Sequence, residues 1–437
     1  MSIASLFSTP LLSHSEGFNR ADSGSRAYDL IDASTIELLS ATFGVTHSVL
    51  TSLRKTLVMS TSTDRVVVVG AGVSGLAIAR ELAADHEVIV LDKGGVAADT
   101  TSRASGMISL ALEPFPDEWA AFALEQFREL DGQGVFSFTE RETVRLVPEA
   151  DADQYTRQAP DGGTFLTQSE LEQQYPESFG DLAAYGGGLV YERTGYLDAL
   201  DYAMTLKWAA EQAGAAVFRD HEVQDLRVAD GEVTGVETEY GPIDADYVVY
   251  ATGWKTRDLL ADYVELPVRP LRWNAVVIEP DTPLPNGCPL GSEPTMRVYW
   301  RPTNRGDVLI GGNEHLLADP EATPMGVQES FRDRVKTDVA PLLAGVADGR
   351  IRREDCCPTA DCASPDGLPI IDTPDTAPDG LVAVTGLHGR GVMLSPVTGR
   401  AVRTLVTGEE PTFPMERFRL DRFDSHSADF EYQSHWE

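Results

Sequence analysis

The sequence has little lysine, little cysteine and no long apolar run, and each scarcity closes off a class of function. Lysine occurs only at Lys55, Lys93, Lys207, Lys255 and Lys336, while Asp and Glu together number 69 and leave a formal net charge of −34. Nucleic acid and anionic membrane surfaces would repel such a chain, and no basic run compensates. Four cysteines in 437 residues do not make a disulfide framework. No apolar stretch reaches the roughly 18 residues of a transmembrane segment and no signal peptide is evident, so a cytoplasmic protein is expected. Cys356, Cys357 and Cys362 contain no Cys-x-x-Cys pair, and adjacent cysteines point in different directions, so no metal site is expected there.

The charge is unevenly spread. Residues 1–58 are Ser-rich and carry five acids against four bases, so nearly all of the net charge of −34 lies beyond them. Two compositions in one chain point to a non-native or flexible extension over 1–58, with the folded protein starting near Met59. Past that point the Asp- and Glu-rich, Lys-poor composition resembles that of proteins from halophilic archaea. Dense carboxylates keep a protein hydrated in concentrated salt, where their repulsion is screened over a few Å, so low salt is expected to destabilise it. At 437 residues two domains are expected.

What is present is a complete βαβ unit from Val66 to Gly106. Val66 to Val69 form a β-branched apolar run that stops at a glycine cluster, as a buried parallel strand does. Gly70, Gly72 and Gly75 have G-x-G-x-x-G spacing: the first permits a tight turn, the second admits a pyrophosphate against bare backbone, and the third lets helix pack on strand. Val73 and Ser74 open that helix, whose N-terminal N–H groups point at phosphates, and Ala77, Ile78, Leu82 and Ala83 form its sheet-facing stripe. His86 to Leu91 return as the second strand, ending at Asp92, 22 residues beyond Gly70, where a carboxylate accepts from a ribose hydroxyl.

Lys93 to Gly106 is then a small-residue loop where another helix would otherwise be expected. Residues 117–130 have helical periodicity, Val135 to Leu146 read as a strand pair around a turn, and Tyr196 to Ala213 as a long helix. Three short strands with Asp-Gly and Tyr-Gly turns follow, and Tyr247 to Tyr250 ends at Ala251-Thr252-Gly253, which makes the nucleotide domain discontinuous. Pro267 to Gly312 has the alternation of antiparallel strands. A helix is expected over roughly 326–343, then buried strands at Leu368–Ile371 and Leu381–Val384. Ser395 reads as an N-cap, Pro396 as the first helical residue and Gly408 as the stop.

VVVVGAGVSG with its later Leu-Asp, TTSRASG, ADYVVYATG, SPDGLPIID and TGLHGRGVMLSPVTGR together resemble the D-amino-acid oxidase, glycine oxidase and sarcosine oxidase family of FAD enzymes over roughly 63–410. The resemblance implies an α/β protein with a discontinuous Rossmann-type FAD-binding domain (63–110, 190–260 and 355–410), an antiparallel-sheet substrate domain (111–189 and 261–354) and a C-terminal tail (411–437). It implies that Gly70, Gly72, Val73, Ser74, Gly75, Asp92 and Lys93 hold the ADP half. Ser102, Arg103, Ala104, Ser105 and Gly106 would run along the pyrophosphate and ribityl chain. Val223 would touch the adenine, Thr252 and Gly253 the ADP, and Asp366, Gly367, Gly389, Arg390, Gly391, Val392 and Met393 the ribityl chain and flavin ring. A helix N-terminus beside Gly391 and Val392 would favour negative charge at the ring on reduction.

Departures from the family pattern bear on the substrate. The arginine that glycine-oxidase-like members place five residues before the Asp-Gly pair is Asp361 here, and the lysine and arginine of sarcosine-oxidase-like members correspond to Met393 and Met107. Arg272, Arg301 and Arg390 are the substitutes for a carboxylate clamp, and Trp273 and Tyr299 the aromatic pocket candidates. His388 sits where a base near the flavin would sit, and His315 is a second histidine candidate. The position of a covalent flavin cysteine is Thr359, so non-covalent FAD is expected. The implied activity is hydride transfer from the amine-bearing carbon of a small amino acid or secondary amine to flavin, with oxygen or another acceptor reoxidising it. The alternatives are oxidation of a hydroxy acid or polyol phosphate, and a flavin-carrying subunit without turnover. The oligomeric state is left open.

Overall fold

Three consecutive valines with no solvent exposure, Val66, Val67 and Val68, set the first strand at the centre of a six-stranded sheet. The computed structural model describes residues 63–113, 115–323, 326–356, 361–432, 434 and 436, so the expectation for 1–58 lies outside the described residues. The sheet runs Ile370–Asp372, Leu381–Thr385, Tyr247–Tyr250, Arg65–Val69, Glu87–Leu91, Ala216–Phe218. All its pairings are parallel except that of Ile370–Asp372 with Leu381–Thr385. Parallel strands buried on both faces need apolar residues at every position, which is why these segments read as runs instead of alternations. The helices Val73–Leu82, Ala199–Gln212 and Gly391–Thr407 cover one face, and the antiparallel sheet Val223–Ala229, Glu232–Thr238, Gly241–Asp244 packs with the other.

The second large sheet is mainly antiparallel. Its order is Arg350–Cys356, Arg269–Glu279, Val308–Leu316, Val298–Pro302, Leu290–Glu293, Thr143–Pro148, Tyr185–Tyr191, Gly163–Thr167, with Asp361–Ala363 paired beside Arg269. One face packs on Phe331, Val335 and Val339. The other face carries the site described below.

Four local expectations are corrected. Val135 to Leu146 is not a hairpin: Phe138–Glu140 pairs with Gly195–Leu197, whereas Thr143–Pro148 joins the large sheet. Buried Thr194 enforces the split, its hydroxyl donating to the Arg141 carbonyl at 2.6 Å while its own carbonyl accepts from the Arg141 N–H. The long helix starts at Ala199, not Tyr196, because the Asp198 carboxylate caps the N–H groups of Leu200 and Asp201. The expected 326–343 helix is α-helical only over Glu329–Arg334, then widens over Val335–Val339 and tightens over Ala340–Leu342, where Pro341 has no N–H to continue it.

The fourth correction matters for function. Ser395 is not an N-cap; the helix begins at Gly391, with Pro396 inside it. Proline removes the bond that its N–H would give to the Val392 carbonyl, and the Ser395 hydroxyl donates to that same carbonyl at 2.8 Å. One hydroxyl therefore lets the helix extend past its proline and brings its positive end to the turn at Arg390. Gly408 ends the helix in the left-handed region at φ 66°, as the sequence predicts.

Candidate active site

The glycine turn is shaped by close backbone contacts. A Cβ on Gly75 would lie 1.9 Å from the Gly70 carbonyl, so helix and strand meet there only without a side chain. A Cβ on Gly72 would meet nothing nearer than the Thr101 hydroxyl at 3.4 Å, which leaves that backbone facing open space. The space is a cavity of about 580 Å³. Asp92 holds its rim, one carboxylate oxygen accepting from the Ala71 N–H and the other from the Gly94 N–H, both at 2.8 Å. Each oxygen keeps a lone pair for a ribose hydroxyl.

Val73, Ser74, Lys93, Val223, Thr252 and Gly253 also line this cavity, as does Gly391 from the late helix. Two contributors escaped the sequence reading. The Thr101 hydroxyl accepts from the Val73 N–H at 3.1 Å, tying the loop to the helix N-terminus. Lys255 faces Lys93, and its neighbouring charge, with burial, holds the Lys93 ammonium below its usual range. Two of the chain's five lysines thus meet at one cavity of a strongly acidic protein, Lys255 also pairing with Glu321 at 3.2 Å. Lysine scarcity was the one available signal for Lys255.

A second cavity, of about 630 Å³, shares Thr100 and Asp361 with the first. Its wall is a lateral row on the large sheet: Arg145 opposite Ser292, Ser292 opposite Tyr299, Tyr299 opposite Gly311, Gly311 opposite Ala275. The Tyr299 ring lies across Gly311, where a Cβ would sit 2.4 Å from Cζ. Trp273 stands beside Tyr299, ring centroids 6.2 Å apart, and against Gly389 of the His388–Arg390 turn. Arg103, Ala104, Ser105, Gly367, Arg390 and Met393 also line this cavity. The residues present fit FAD: bare backbone and a carboxylate at a helix N-terminus suit its ADP end, and the adjoining cavity on the other side of Asp361 suits its ring.

The other predicted residues are placed differently. Gly75, Ser102, Gly106 and Val392 line neither cavity. The Asp366 carboxylate lies at the cavity but accepts from Arg422 Nε at 2.8 Å and from the Leu368 N–H at 3.1 Å. Arg301 is corrected as a pocket residue: its Nε donates to the Ser105 carbonyl, its guanidinium lies 5.3 Å from the centre of the Tyr196 ring, and burial pushes it down to about 10. Its role is to pin the loop to the sheet. Arg272 donates to the Gly326 carbonyl, and His315 bonds near Asn313 and Gln328; neither lines a cavity. Cys362 is buried against Thr385 and Gly386, and burial pushes its thiol up to about 12. Cys357 and Thr359 lie outside the described residues. Among the described residues no cluster of His, Cys, Asp and Glu is placed to hold a metal.

Arg390 does line the cavity, but its Nε is 2.7 Å from Glu113 Oε2, with both side chains under a tenth exposed, and its Nη1 donates to the Gly367 carbonyl at 3.0 Å. His388 is 1 % exposed with φ 51°, and Tyr432 stacks on it at 5.5 Å. The C-terminal strap is an unforeseen wall: Ser434 and Trp436 line the cavity, and both donate to buried Glu314, Trp436 Nε1 at 2.8 Å.

Asp361, where the family pattern has an arginine, joins the two cavities. Burial pushes its carboxyl up to about 6, opposed by the N–H groups of Cys362 and Gly389 and by the charge of Arg390. It is neutral below about 6 and negative above, so a simple monocarboxylate inhibitor should bind more weakly as pH rises through that value. Inhibitor titrations followed by the visible spectrum of the bound cofactor should show this limb in the wild type. Asp361→Asn should remove it, and a limb that survives the substitution rules Asp361 out as its source.

Residues 65–405 match the family model described as FAD dependent oxidoreductase. The chain is 31% identical over 374 residues to the glycine oxidase of Pseudomonas aeruginosa, a match covering 80% of this chain and 96% of that protein. It is 28% identical over 397 residues to the glycine oxidase of Geobacillus kaustophilus, covering 82% and 96%. The crystal structure of glycine oxidase from Geobacillus kaustophilus matches with a TM-score of 0.70 and 25% identity, over 83% of this chain and all of that one. Among the described residues no helix is long and apolar enough to cross a membrane.

Proposed function

The chain belongs to the FAD-dependent oxidoreductase family of D-amino-acid oxidase type, and on that premise we propose that it oxidises the amine-bearing carbon of a small amino acid or secondary amine. The carrying observation is the pair of adjoining cavities, one at the glycine turn and one beneath the Trp273–Tyr299 wall, joined at Asp361. The glycine oxidases it is similar to support the substrate class. Non-covalent FAD would be held by the glycine turn, Asp92, the Gly389–Gly391 turn and Met393, and would supply the acceptor for a hydride.

The chain's own residues do the rest. Trp273, Tyr299 and the strap residue Trp436 exclude water and fix the substrate's orientation. The substrate amine must react as the free base, and the product imine then takes up water to give a carbonyl compound and free amine. The helix that begins at Gly391 presents its N-terminal end to the first cavity, where its N–H groups would favour negative charge on a bound ring. The buried Arg390–Glu113 pair holds the turn that carries that helix start. Oxygen or another acceptor regenerates the enzyme, which we place in the cytoplasm.

An anaerobic screen of flavin bleaching across amino acids, N-methyl amino acids, amines and hydroxy acids tests this reading. Bleaching by amino or N-methyl amino compounds is the expected result. Bleaching confined to hydroxy acids, or absent throughout, would overturn it.

A further inference from the structure

Three arginines line the second cavity: Arg103, Arg145 and Arg390. Arg103 donates to the carbonyls of Ala98 and Asp99, and Arg390 is paired with Glu113. The partly buried Arg145 guanidinium makes no hydrogen bond or ion pair with any described residue. It is therefore a cation open to the cavity whose donors no protein carboxylate has taken, although this chain has 69 carboxylates from which a partner could have come.

The surroundings of Arg145 suit an incoming anion. Ser292, 6 % exposed, is directly opposite on the neighbouring strand and faces the same cavity. Tyr191, two strand positions along on the other side, brings a phenol that burial keeps protonated and therefore able to donate. The cavity's carboxylates do not neutralise the site. Glu113 is bound to Arg390 and Asp366 to Arg422, Asp361 lies at the far end of the row where it accepts from the Gly389 N–H, and exposed Asp161 forms no ion pair with Arg145.

Position along the row identifies which substrate group is read. The strand of Arg145 is three steps from that of Gly311, under the Tyr299 ring, so their backbones are roughly 14 Å apart at about 4.8 Å per step. An anion at Arg145 is therefore held well away from the Trp273 and Gly389 end, where the flavin-side turn lies. We propose that Arg145, with Ser292 and Tyr191, binds a carboxylate carried at the far end of the substrate from the carbon that is oxidised, so that the preferred substrates are acidic amino acids or N-carboxyalkyl amines. The planar fork of arginine matches a carboxylate bidentately, which a neutral amide cannot reproduce.

This inference rests on the proposed amine oxidation, and its test separates the two. The measurement is anaerobic flavin reduction by each enantiomer of glutamate and aspartate, against glutamine and asparagine, with the FAD-loaded full chain. For the reactive enantiomer, the second-order rate constant of flavin reduction should favour the acid over its amide, and Arg145→Gln should lower that ratio by roughly 10–100-fold, the range for a charge-assisted contact. Equal reduction by acid and amide in the wild type, or a ratio unchanged in Arg145→Gln, overturns the distal carboxylate while leaving amine oxidation standing. Reduction by no amine at all overturns the reading beneath it. Should Arg145→Gln lose its flavin, titration of the wild type with glutarate and with its monoamide gives the same decision. Tighter binding of the dicarboxylate supports the site, and equal binding overturns it.

Discussion

Gly72→Val is expected to fold and to hold no FAD. The Cβ position at Gly72 has only the Thr101 hydroxyl within 4 Å, at 3.4 Å, so the apoprotein accommodates the new side chain. Its methyl groups, however, fill the cavity at the helix N-terminus, where a pyrophosphate must lie against bare backbone. Purified variant protein should show no visible flavin absorbance and should melt cooperatively near the temperature of flavin-stripped wild type. Gly75→Val is the contrasting case. Its Cβ would fall 1.9 Å from the Gly70 carbonyl, so helix and strand must separate and the cooperative melt should be lost. A yellow Gly72→Val protein would move the cofactor away from the glycine turn.

The second large effect concerns the pair that holds the late turn. Glu113→Ala leaves the Arg390 guanidinium 7 % exposed and without its carboxylate, and breaking a buried ion pair from one side typically costs about 3–5 kcal/mol. Replacing both partners by apolar residues, Glu113→Leu with Arg390→Met, should recover most of that loss, because neither member of the pair is then left buried without its counter-charge. Denaturant midpoints in constant molar salt measure both. Raising the salt should not rescue Glu113→Ala, since screening acts on exposed charges far more than on buried ones. A loss below about 1 kcal/mol would mean that water reaches the pair, as it does at surface salt bridges.

Much of the nucleotide end was legible because its constraints are local. The Gly70–Gly72–Gly75 spacing, the apolar run at Val66–Val69 and the acid at Asp92 each follow from contacts within one βαβ unit, and the structure builds that unit as expected. Local rules failed where a distant side chain intervened. Pro396 reads as a helix start until the Ser395 hydroxyl is seen to serve the Val392 carbonyl, and Ser395 is itself held 3.1 Å from the Tyr202 hydroxyl of another helix. The segment from Phe138 to Pro148 reads as a hairpin until Thr194 is seen to divide it between two sheets.

Sequence alone determined the dinucleotide site and its parallel strands, because glycine spacing and strand-length apolar runs are dictated by backbone geometry over a few dozen residues, and it carried the family resemblance that implied FAD. Tertiary structure alone decided which arginine is available to a substrate. Arg301, Arg390 and Arg145 are alike in sequence, each a cation in the segments that form the second cavity's walls. They differ in what the rest of the chain brings to them: the Ser105 carbonyl for Arg301, Glu113 for Arg390, and no described partner for Arg145. Whether a cation in a cavity wall is a strut or a binding site depends on whether its partner is already supplied by the fold, and the partners of Arg301 and Arg390 lie 196 and 277 residues away along the chain.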